Sequence, residues 1–310
     1  MIKEAMLSLA QQQSIKHFMM FHPAGRRVAR RFVAGEALDE AMDVTRTLNA
    51  RGISVSLDHL GENVGDAEEA QATAAEYAAT LDRIHAEQVE ANISIKLTAL
   101  GLDVDSDLCR ANVAQVLKRA RQHRIFVRVD MEGSAYTQRT LDLVADLRCE
   151  FDNVGTVLQT SLYRTPRDLE ALIASRTRVR LVKGAYLEPV TLAYAHKADV
   201  DEQYVRLLRE LLERGTYPAI ATHDERIITD ACDYAGRHEI ARARFEFQML
   251  YGIRRDMQQQ LVRDGYRMRV YVPFGTQWYP YLMRRLAERP ANVAFITGNV
   301  VREMISRGKS

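Results

Sequence analysis

Residues 125–159 read IFVRVDMEGSAYTQRTLDLVADLRCEFDNVGTVLQ. The stretch opens and closes on β-branched runs, Ile125–Asp130 and Val154–Gln159. Between them Ser134–Glu150 has the composition of a helix. Two short apolar runs joined by a helix make a parallel βαβ unit. The alternation continues in both directions. Upstream, strands are expected at Ile53–Asp58 and Ile93–Thr98, with helices at Ala67–Glu90 and Ser106–His123. Downstream, strands at Val179–Gly184, Ala219–Thr222, Phe245–Met249 and Met268–Val272 alternate with helices. Those helices are Pro166–Ser175, Val190–Arg214, Glu225–His238 and Ile253–Gly265. Pro166 and Pro189 suit helix starts, Gly215 and Gly265 helix ends.

Eight strands close a (βα)8 barrel, a fold that takes ~250 residues. The chain has 310, which leaves roughly 50 in front of the barrel. They read as helices over Lys3–Met20, Ala24–Val33 and Glu36–Ala50. The expectation is an α/β protein: a TIM-type barrel over residues 53–310, with a helical segment, residues 1–52, packed on it. A doubly wound open sheet is the rival, but neither GxGxxG nor GxxxxGK[ST] occurs.

Composition narrows the function classes. A net charge of +2 gives no basic excess for nucleic acid. Cys109, Cys149 and Cys232 are far apart and odd in number, which argues against a disulfide framework and for a reducing, cytoplasmic compartment. No apolar run approaches the ~20 residues of a membrane helix, so any membrane contact would have to be peripheral.

Barrel active sites lie at the C-terminal ends of the strands. Here those ends are polar: Lys96, Asp130 and Glu132, Gln159, Arg180 and Lys183, Thr222 and His223, Gln248, and Tyr271. Buried polar groups are costly unless partnered, and one per strand is often an interior network. A run of strands ending this way points to a large polar ligand. His223 has no second His or Cys at ligand spacing, so a zinc site is rejected and no metal is expected. Lys96 and Lys183 suit Schiff-base chemistry, as in barrel aldolases, or anion binding. A barrel that merely binds an amino acid or a protein is a third reading. After the last strand, Tyr281, Arg284, Arg285 and Glu288 share one helix face. Adjacent guanidinium groups over the barrel mouth would form a carboxylate clamp.

Together these pieces resemble the monofunctional, FAD-dependent proline dehydrogenase family. The resemblance is carried by SIKLTALG (Ser94–Gly101), VRVDMEGS (Val127–Ser134), VLQTSLYRT (Val157–Thr165), RLVKGAYLE (Arg180–Glu188), ATHDERI (Ala221–Ile227), FEFQMLYG (Phe245–Gly252), RVYVPFG (Arg269–Gly275) and YLMRRLAE (Tyr281–Glu288). It implies a distorted barrel whose last helix covers the mouth. It also implies oxidation of L-proline to Δ1-pyrroline-5-carboxylate with non-covalent FAD and a membrane quinone as acceptor. Carried onto this chain, Arg284, Arg285 and Lys96 would bind the proline carboxylate. Tyr186, Leu250, Tyr271 and Tyr281 would wall the ring, and Asp130 would pair with Arg285. Lys96, Asp130 and Tyr271 form the catalytic set. Gln159, Arg180, Lys183, Gly184, Ala185, Thr222, His223 and Glu288 are assigned to the cofactor. Asp224 and Arg289 stand where many relatives have Asn; the first bears on a cofactor contact.

Overall fold

The computed structural model describes His17, Met19, Met20 and residues 22–287. The expected helix Lys3–Met20 and Glu288 therefore lie largely or wholly outside the described residues. Eight parallel strands close into a barrel in sequence order. They are β1 (Ser54–His59), β2 (Ala91–Ile95), β3 (Val127–Val129), β4 (Val154–Gln159), β5 (Arg178–Val182), β6 (Ala219–Ala221), β7 (Glu246–Leu250) and β8 (Met268–Phe274). β1 and β8 close the ring, with Ser56 beside Tyr271.

Two helices precede the barrel, α1 (Pro23–Ala29) and α2 (Leu38–Asn49). The crossovers are α3 (Ala67–Glu87), α4 (Ser106–Gln122), α5 (Ser134–Arg148), α6 (Thr165–Ala174), α7 (Lys197–Arg214), α8 (Glu225–Arg237) and α9 (Arg255–Arg263). α10 (Trp278–Ala287) follows β8. Local chemistry sets their starts. Asp66 and Asp105 accept from the backbone N–H of Glu69 (2.9 Å) and Leu108 (2.7 Å), which caps α3 and α4. Pro166 stands in the first turn of α6, where its missing N–H costs nothing.

The expected helix Val190–Arg214 begins only at Lys197. Pro189 does not start it. Its carbonyl accepts from the N–H groups of Leu192 and Ala193 as a turn, and Ala193 bridges to Leu162. The Val, Thr and Tyr of residues 190–194 suit that extended pairing better than a helix.

One apolar layer, between strands and helices, holds the barrel together. Val55, Leu57, Ile93, Ile95, Val127 and Val129 face Leu81, Val113, Leu117, Leu208 and their neighbours, all buried. Each such side chain contributes ~1.5–3 kcal/mol on burial. Met42 and Leu48 of α2 join this layer. A second, smaller cluster joins Phe32 and Val33, just after α1, to Trp278, Tyr281 and Leu282 of α10.

Candidate active site

The barrel interior is ionic rather than aliphatic, unlike the Val, Ile and Leu layers usual in this fold. Ser56 and Ser94 lie 3.1 Å apart. Arg180 reaches across from β5, donating to Asp130 at 2.6 Å and Ser94 at 3.1 Å. Its guanidinium also lies over the Tyr271 ring, 5.3 Å from the centroid. The Tyr271 hydroxyl donates to the other Asp130 oxygen at 2.7 Å. The sequence expectation pairs Asp130 with Arg285; in the structure its two oxygens accept from Arg180 and Tyr271. Asp130 directly follows β3, facing β5 and β8 across the interior.

Lys96 donates to Asp58 at 2.6 Å, both buried. Burial alone would lower the lysine pKa, but the charges of Asp58, Asp130 and Glu62 and the Tyr77 hydroxyl together outweigh it and hold the ammonium above its ordinary value. Burial in turn raises the Asp58 carboxyl, against the pull of Lys96. Lys183 donates to Asp224 at 2.8 Å and forms an ion pair with Asp201 at 2.6 Å, with Lys197 near Asp224 at 3.6 Å. The ammonium of Lys183 is thus neutralised by two carboxylates, so this end of the site carries no positive excess. Gly184 follows with φ +112°, and a Cβ there would meet Ser161 Oγ at 2.3 Å. Glycine lets the chain turn out of β5 over that hydroxyl. His223 Nε2 accepts from the Leu250 N–H at 2.9 Å, which assigns the neutral Nδ1–H tautomer. Gln159 donates to the Glu132 carbonyl at 3.0 Å, and the Glu132 side chain accepts from Thr98 at 2.6 Å.

These groups surround a cavity of about 700 Å³ at the C-terminal ends of the strands. α10 covers it, presenting Tyr281, Arg284 and Arg285. Every site residue assigned from the sequence lines this cavity except Glu288, which lies outside the described residues. Arg284 donates to Glu62 at 2.9 Å. Burial opposes its charge, but Glu62 raises its pKa further. Burial likewise raises the Tyr186 and Tyr271 phenols, so both stay protonated at neutral pH.

Sequence reasoning missed Asp58, Glu62 and Asp201, which also shape the site. Asp58 had a usable signal, since it ends ISVSLD as Asp130 ends IFVRVD. Glu62 sits in a loop and Asp201 within a helix, where nothing local distinguishes them from surface acids.

A closed (βα)8 barrel whose mouth gathers this set of charges, with a helix across it, defines an α/β-barrel enzyme. The proline dehydrogenase family model matches residues 41–298. The chain is 45% identical over 272 residues to proline dehydrogenase 2 of Bacillus subtilis (strain 168), covering 87% of this chain and 90% of that one. It is 40% identical over 305 residues to proline dehydrogenase of Deinococcus radiodurans, covering 97% and 98%. Among solved structures, proline utilization A from Bdellovibrio bacteriovorus, inactivated by N-propargylglycine, superposes with a TM-score of 0.81 at 28% identity. That match covers 89% of this chain and 34% of the larger one. The chain belongs to the proline dehydrogenase family and is an oxidoreductase.

Proposed function

We propose that the protein oxidises L-proline to Δ1-pyrroline-5-carboxylate using non-covalently bound FAD, and passes the electrons to a membrane quinone. The observation that carries this reading is the single cavity shared by the Arg284–Arg285 pair and the Gln159, Arg180 and His223 set. Its size is in the range of cofactor-binding sites. Arg180 supports a flavin there: it lines the cavity, and its Nε is buried without a hydrogen-bond partner among the described residues. Gln159, Arg180, Lys183, Thr222 and His223 would hold the group, with Gly184 and Ala185 giving backbone room. FAD, when bound, supplies the hydride acceptor for C5 of the ring.

The protein's share is positioning. Arg284 and Arg285 grip the substrate carboxylate. For Arg284 that grip competes with Glu62. Tyr186, Leu250, Tyr271 and Tyr281 wall the ring. Asp130 acts through Arg180 and Tyr271, fixing both side chains. Lys96, held as an ammonium beside Asp58, offers the carboxylate a charged N–H donor at the cavity wall. The same pairing opposes a Schiff-base role, which needs a lysine of lowered pKa. No helix among the described residues is long and apolar enough to cross a membrane, so quinone contact would be made at a membrane surface.

The test is spectral and kinetic. The purified chain should show a flavin spectrum, and acid precipitation should release FAD. Loss of a desolvated charge pair costs ~2–5 kcal/mol. Arg284→Met and Arg285→Met should therefore each raise KM for proline at least tenfold, mainly through binding, with flavin content unchanged. A chain that stays colourless after incubation with FAD would sink the proposal. Loss of flavin with normal proline binding would move both arginines to the cofactor.

A further inference from the structure

The opposite end of the barrel holds a second cavity, of about 410 Å³. Within the barrel the other charges are matched: Lys96 with Asp58, Arg180 with Asp130, Arg269 with Glu246. Arg128 is not. It is 2% exposed and lines this cavity. Its Nη1 donates to the carbonyls of Thr156 at 2.9 Å and Arg178 at 2.6 Å. Its Nε is buried with no partner, and no ion pair to Arg128 forms among the described residues. The nearest acids are committed elsewhere, Glu246 to Arg269, Gln248 and Tyr217, and Asp130 to Arg180 and Tyr271.

This guanidinium has a built seat. Phe126 lies under it, 4.8 Å from ring centroid to Cζ. Gly155 makes the room, since a Cβ there would stand 3.0 Å from Arg128 Nη1 and 2.4 Å from the Arg178 carbonyl. A buried cation without an ion-pair partner is costly by several kcal/mol. Burial and the Arg180 charge outweigh the Glu246 and Asp130 carboxylates and hold Arg128 well below its ordinary pKa. Three more guanidinium groups line the same cavity: Arg124, Arg178 and Arg269, the last paired with Glu246. So does Asn92, whose side-chain oxygen is buried without a partner. Turned over, that amide presents donors instead. Against this stand two acids of the lining, Glu246, paired with Arg269, and Glu90, which accepts from Ser54 at 2.9 Å.

We propose that the N-terminal end of the barrel is an anion site, in which one small oxyanion of the carboxylate or phosphate class is held by Nε and Nη2 of Arg128, with Arg178 and Arg124 nearby. The planar fork of a guanidinium matches two oxygens of one anion, which favours an oxyanion over a halide. Arg128 lies two residues before Asp130, roughly 6–7 Å along the strand. The site is therefore separate from the mouth but on the same strand.

The probes are selenate in crystals, and inorganic phosphate and acetate in solution, with the purified full chain at constant ionic strength. An anomalous selenium peak within hydrogen-bond reach of Arg128 is expected in wild type. Phosphate or acetate should raise the melting temperature of wild type in a saturable way. The ligand effective at the lower concentration, by tenfold or more, identifies the source. Arg128→Met should abolish both effects. If that variant does not fold, Arg178→Met, on an exposed side chain, should still weaken the solution effect several-fold. Water alone on Arg128 in soaked wild-type crystals overturns the proposal. So does a selenium peak with no saturable effect in solution, which marks an adventitious ion only.

Discussion

On β3 alternate residues part company. Val127 and Val129 pack outward in the apolar layer, while Arg128 donates to backbone carbonyls inside the barrel and Asp130, just past the strand end, pairs there with Arg180. β1 and β2 repeat the division, with Val55, Leu57, Ile93 and Ile95 outside and Ser56, Asp58, Ser94 and Lys96 inside. One face of the sheet therefore carries the burial that makes the fold. The other carries buried charge, which stabilises little by itself and is kept for function. If that division is real, substitutions on the two faces should fail in different ways.

The largest effect belongs to the outer layer. Leu81 of α3 is fully buried there. Leu81→Ala should cost ~2–5 kcal/mol of stability, read from the urea midpoint at unchanged slope. Turnover per folded, flavin-loaded molecule should stay near wild type. A large loss of turnover at full folding would mean that outer packing tunes the site and the division fails.

Next comes the inner face. Asp130→Ala releases both Arg180 and Tyr271. Misplaced groups of this kind cost about 100-fold in rate, equivalent to ~2.7 kcal/mol of barrier. Stopped-flow flavin reduction by proline should slow by that factor while most flavin is retained. Full-speed reduction would show that the pairing is idle.

The smallest effect separates two thiols. Burial pushes Cys109 up to about 12, whereas Cys149 is exposed. At pH 8 a thiol reagent should label Cys149 promptly in the native state, and Cys109 only as the protein unfolds. Because the fold favours the neutral Cys109 thiol, its contribution is complete below the ordinary value of 9.0 and disappears as pH rises toward about 12. Prompt labelling of Cys109 would indicate that the outer layer opens readily.

The same division decides how much the sequence can say. Periodicity reports the outer face, so all eight strands and the helices between them were legible, and β4 matches residue for residue. The inner face obeys no periodicity, but its charges at strand ends stand out against Val and Ile. That is why Lys96, Asp130, Arg180 and Tyr271 could be picked out, and the structure gathers all four at one cavity. Their partners were not, because pairing depends on which strands face each other across the barrel. Residues 190–196 misled because an extended bridge and a helix both tolerate alternating apolar residues, and only Leu162 across the gap decides between them.

The small cluster linking Phe32 and Val33 to Trp278 and Leu282 has a mechanical consequence. The helix across the mouth is not anchored by its own neighbours in sequence alone. Trp278 Nε1 donates to Glu36 at 3.0 Å, and the Gly275 N–H donates to the Gly35 carbonyl at 3.0 Å. The cover and the segment around α1 are therefore coupled to each other, and through the Ala34 N–H on the Pro273 carbonyl to β8. A tag or fusion partner pressing on α1 would be felt at the mouth, more than two hundred residues further along the chain.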